Sequence, residues 1–209
     1  MAASISLLLD IGQGAGLAGA SGVRPFLPPL LAGALARGDI GVDYERGPFA
    51  FLESPAFLLV ILLLAVGLYV LERRRPAAAV ATGSGAADPA RSPVDIALLA
   101  LGTVLGALLF AGSLSEAGVE WWPGLVGGAL CAALGYAAVA GLLGRARRRV
   151  DASVGALLIL YAEAFALLMA GLSILFPPLA LVGLALFVVL LVRGRGSRDQ
   201  KFQGLRILR

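Results

Sequence analysis

Arg24 and Glu163 are the residues whose type and setting point most directly to chemistry. Arg24 lies in GQGAGLAGASGVRPFLPPLLAGALAR, residues 12–37, and Glu163 lies near the middle of LLILYAEAFALLMAG. A charge held without a partner in apolar surroundings costs several kcal/mol, so each should have a partner or a task. Arg24 has two readings. With the N–H groups ahead of a helix starting at Pro28 it forms an anion site at a positive dipole end; alternatively it reaches headgroups or loop carbonyls. Glu163 has three: partner of Arg24, titrating carboxylate on a proton or cation path, or protonated structural group bonded to a neighbour. Its helical face, Ala152, Ala156, Ile159, Glu163, Ala166, Ala170, turns it toward other helices along mostly small residues. If the two charges pair, loss of either should cost about 3 to 5 kcal/mol. Ser21, Gly22, Asp10 and Gln13 complete the candidate substrate-binding set, with Asp10 and Gln13 the weaker members.

Other chemistries are thinly supplied. The chain has no histidine, and Cys131 is its one cysteine, which removes disulfide frameworks, Cys/His zinc sites and His-based acid–base work. No nucleophile–base pair and no metal cluster can be assembled, and no cofactor is implied. A membrane enzyme acting on lipid headgroups is therefore the weakest of three functional readings.

These residues are positioned by elements that composition assigns to a bilayer. The chain has 209 residues, 59% hydrophobic and 14% charged, against roughly half and a quarter in soluble domains. That balance predicts an all-α polytopic transmembrane helical bundle of about six helices, each of about 20 residues. The apolar runs lie at about 4–20, 55–71, 94–114, 123–143, 152–176 and 178–192, with a short segment at about 26–36. Residues 1–76 form a first membrane half and 93–193 a second. Between them 77–92 is a Pro/Gly/Ala-rich flexible linker, and 194–209 is a basic tail.

A lipid-exposed helix cannot leave backbone groups unpaired, so the Gly/Pro-rich stretch predicts a broken or re-entrant first helix facing protein or a water-filled cavity. Residues 26–36 would rise only about 16 Å as a helix, too little for a crossing. A cleavable signal is the competing reading of residues 1–20, through Ala18-Gly19-Ala20; the lack of any Lys or Arg before Arg24 opposes it. Arginines cluster at 73–75 and 91, at 145–149, and from 193 onward, while SEAGVEWWP carries Glu116, Glu120, Trp121 and Trp122 and no base. The positive-inside rule then predicts an inner (cytoplasmic) membrane protein with both termini cytoplasmic and the Trp pair opposite. A pI near 9.8 needs no nucleic-acid partner on this reading. Membrane lipids, an anionic small solute or lipid headgroup, and a second copy of the chain are the partners to expect.

Two further patterns bear on function. Gly, five residues, Pro-Pro-Leu occurs at Gly22 with Pro28 and Pro29, and again at Gly171 with Pro177 and Pro178. Duplicated breaks are the sequence mark of a transporter site between internal repeats; a tight interhelical turn is the plainer reading. Pro25 sharpens the first break. The pairs Gly12/Gly16, Gly102/Gly106 and Gly124/Gly128 are GxxxG stripes that let helices approach closely. The reading this favours is a small transporter or channel-like permease with its polar site at the broken helix. A scaffold or accessory subunit that packs through its glycine faces is the second reading.

The stretch ASGVRPFLPPL resembles a bacterial family of small integral membrane proteins catalogued as domain of unknown function 4126. The matching features are residues 20–29, Ala162-Glu163 and residues 176–179, with Pro25 as a departure. The resemblance covers most of the apolar chain. It implies weight on Arg24 and Glu163, and no activity.

Overall fold

The computed structural model describes residues 2–45, 47–74, 93–147 and 152–203. Among them it is all-helical, without strands: α1 (Ala2–Val23), α2 (Leu27–Ala36), a 3-10 turn (Ala50–Glu53), α3 (Pro55–Arg74), α4 (Pro93–Glu116), α5 (Trp122–Arg147), α6 (Ala152–Leu175) and α7 (Pro177–Gln203). The linker at 77–92 lies outside the described residues. Helix α7 runs on through the first residues of the expected basic tail.

Seven helices replace the expected six because α2 is a helix in its own right and returns the chain to the end where it began. The glycine-rich stretch is not itself a break. Helix α1 continues unbroken through Gly12, Gly14, Gly16, Gly19 and Gly22, and the backbone bends only at residues 24–26. A glycine inside a helix costs up to about 1 kcal/mol relative to alanine. Close backbone approach offsets that cost here: the place where Gly22 would carry a Cβ is taken by the Ala132 carbonyl of α5, and Gly135 of α5 admits the Gly19 carbonyl in the same way.

Helix α1 is the centre of the bundle. Every residue from 12 to 22 is buried, and α1 packs on α4, α5, α6, α7 and α2. Helix α1, from the first half of the chain, therefore lies among the helices of the second. Phe110 faces Gly14 and Gly102 faces the Ser21 carbonyl, so α4 runs antiparallel to α1; Pro177 faces Gly12 and Phe187 faces Gly19, so α7 runs parallel to it.

These contacts define two ends. One, the Arg end, holds Arg24, Glu163 and Arg193; the other, the Trp end, holds Trp121, Gly41 and Pro177. Since α1 and α7 are parallel, the N-terminus of α1 lies at the Trp end and the C-terminus of α7 at the Arg end. This corrects the expectation that both termini share a side. An odd number of alternating helices must end opposite its start, and the expectation had not counted α2 as a return.

The interior is small and the exterior large. Ala18, Ala20, Ala32, Ala111, Ala166 and Ala170 are fully buried, while Leu63, Val126, Leu130, Leu168 and Val182 stand outside, Leu130 at 67% exposure. Two helical segments, Ile96–Glu116 and Trp122–Val139, are long and apolar enough to cross a membrane.

Candidate functional site

The bend at residues 24–26 follows directly from its prolines. Pro25 disfavours helix at Arg24, and Pro28 and Pro29 are preset for the first turn of α2. Arg24 still donates its N–H to the Ala20 carbonyl at 3.0 Å, so the side chain leaves from the last turn of α1. Phe26 and both prolines are buried and hold the elbow.

Arg24 and Glu163 meet. Arg24 Nη2 lies 3.7 Å from Glu163 Oε1, with the two side chains 15% and 33% exposed. At that distance the two form a charge pair and not a direct hydrogen bond. Together they line a cleft of about 220 Å³ walled by Pro25, Phe26 and Leu27 of the elbow and by Ala65, Leu68 and Tyr69 of α3. Two opposite charges and a phenol thus face one apolar-walled space. Such a site can hold a small ion or polar solute, because charges beside apolar walls interact more strongly than in open water.

The other sequence candidates lie elsewhere. The Ser21 hydroxyl donates to the Leu17 carbonyl of its own helix at 2.9 Å. Gly22 serves packing against α5. Gln13, buried near the Trp end, donates from Nε2 to the Gly41 carbonyl at 3.1 Å. Asp10 lies a further turn from the cleft, about 21 Å along α1 from Arg24. The dipole-end anion site is also weaker than expected, since Pro28 and Pro29 leave the first turn of α2 short of N–H groups. The second Gly/Pro-Pro copy is a one-residue turn between α6 and α7 at the Trp end, about 21 Å along α6 from Glu163. Glu163 therefore adjoins the first break and not the second.

Residues 38–45 and 47–49, which sequence reasoning passed over, lie at the Trp end. Tyr44 is 1% exposed and its ring lies against Gly112 of α4. Its N–H donates to the buried Glu53 carboxylate, and Phe49 meets Trp121 edge-on at 6.0 Å. The Tyr44 hydroxyl is buried beside the Ser113 hydroxyl, which donates to the Leu109 carbonyl at 3.2 Å. Burial pushes the phenol above the ordinary tyrosine range, against the smaller opposing effect of Ser113 and with Glu116 and Glu53 adding their charge. The available signal was DYERGPFAFLE itself, aromatic and acidic residues too dense for a plain linker. Tyr69 and Ala65 were missed because α3 reads as a featureless apolar run.

Comparison with family models, with curated proteins and with solved structures finds no match to this chain.

Proposed function

We propose that the chain is a multi-pass membrane protein and a small permease, with Arg24 as the group that takes an anionic solute in the elbow cleft. The observation that carries the reading is the Arg24–Glu163 pair, which joins the one sharp break among the early helices to a late helix across a shared space. The outward-facing leucines and valines support the bilayer, because soluble proteins rarely leave so much apolar surface uncovered. By the positive-inside rule the Arg end is cytoplasmic, and the N-terminus is then on the far side.

Helix order supports transport. The two Gly/Pro-Pro breaks lie at opposite ends, α1 runs parallel to α7, and α2 runs parallel to α6. Such an inverted arrangement is the usual frame of a transporter site. The cleft lies at the Arg end, with Glu163 33% exposed, and residues 38–45 and 47–49 lie at the Trp end. The scaffold reading loses ground, because the glycine stripes it would dock with are already packed inside: Gly12 and Gly16 on α7 and α6, Gly102 and Gly106 on α1, Gly124 and Gly128 on α4.

The test is solute flux into vesicles carrying the purified protein, using small monovalent anions and size-matched neutral solutes. We expect anion entry above that of empty vesicles, and a drop of about tenfold in Arg24→Gln, the loss of one charge-assisted contact. Flux equal to empty vesicles for every solute, or unchanged in Arg24→Gln, would refute the reading.

A further inference from the structure

We propose that the groove between α2 and α3 seats one acyl chain of a membrane glycerophospholipid, with the phosphate held by Arg37. The proposal rests on the membrane reading above but not on the elbow cleft, from which the groove is separate. Leu30, Ala34 and Arg37 line one side at i, i+4 and i+7 of α2 and its cap; Leu58, Leu59 and Leu62 line the other, around about 340 Å³. The walls are apolar except at Arg37. Leu59 and Leu62 are 57% and 51% exposed, so the groove faces outward from the bundle.

The geometry matches a lipid in length and polarity. Seven residues of α2 span about 10 Å, roughly a third of a hydrocarbon core of about 30 Å. The groove therefore runs from the interface inward, with its cation at the interface. Arg37 is exposed at the C-cap of α2, where a guanidinium can fork onto phosphate oxygens. Charge placement selects the phosphate end. The other charges in the neighbouring described loop, Asp39, Asp43 and Glu45, are all acidic, so a phosphate is drawn to Arg37 and repelled beside it.

The test is native mass spectrometry of the full chain extracted in detergent and incubated with phosphatidylglycerol. Wild type should retain one lipid per chain. Arg37→Gln, an exposed change that should leave the unfolding temperature where it was, should lower the retained fraction about tenfold. Leu59→Trp, which fills the groove and keeps Arg37, should lower it as well. Equal retention in wild type and both variants would overturn the groove proposal alone, and so would a shift of Leu59→Trp from dimer to monomer without loss of lipid. Recovery of the wild-type chain as a soluble protein without detergent would overturn the membrane reading beneath it.

Discussion

Gly22→Ala should destabilise the protein by about 3 kcal/mol, the upper end of the usual cost of overpacking. The added methyl would overlap the Ala132 carbonyl and approach the Ala132 Cα at 2.8 Å, and these are backbone atoms that no rotamer change can move. Helices α1 and α5 must separate, and α2, α4, α6 and α7 also pack on α1. Gly171 is the control. A Cβ there would meet nothing within 4 Å, so Gly171→Ala should be neutral or add about 0.5 to 1 kcal/mol through helix propensity. Unfolding in detergent compares the two, and equal effects at both positions would mean that α1 and α5 are not in backbone contact.

Arg24→Leu and Glu163→Leu should each cost about 2 kcal/mol, with the double variant costing about 1 kcal/mol less than their sum. The figure sits between the value below about 1 kcal/mol for exposed pairs and the 3 to 5 kcal/mol for buried ones. The 33% exposure of Glu163 and the 3.7 Å separation place this pair in between, lower than the sequence alone suggested. Each single change removes the counter-charge that the other residue meets across the cleft, and the double change removes both charges. A double-mutant cycle reads the coupling directly. Strictly additive losses would show that Arg24 and Glu163 act independently despite their proximity.

What was legible in the sequence was mostly what costs energy. Arg24 and Glu163 stood out because charge in an apolar run demands an explanation, and the prolines at 25, 28 and 29 located the elbow because their backbone restrictions are local. Whether the two charges pair depends on how α1 and α6 pack, which no spacing rule contains. The glycine pairs were legible as packing devices, but not which helix each would face. Helix α2 was discounted by a length rule meant for full crossings, and that one omission put the start of α1 and the end of α7 at the same end of the bundle. Tyr44 and Glu53, and the bond from Gln13 to Gly41, were obscure for the opposite reason: a tether to a distant loop has no periodicity.

The most direct test of the account is accessibility of the cleft itself. With Cys131→Ser as background, Ala65→Cys places a single thiol in the cleft wall beside Arg24 and Glu163. A membrane-impermeant maleimide should modify it in inside-out vesicles, more slowly when a permeant anion is present, and should leave it unmodified in sealed right-side-out cells. Modification from the outer side alone, or a rate indifferent to every anion that the protein passes, would contradict a solute site at the elbow open to the Arg end.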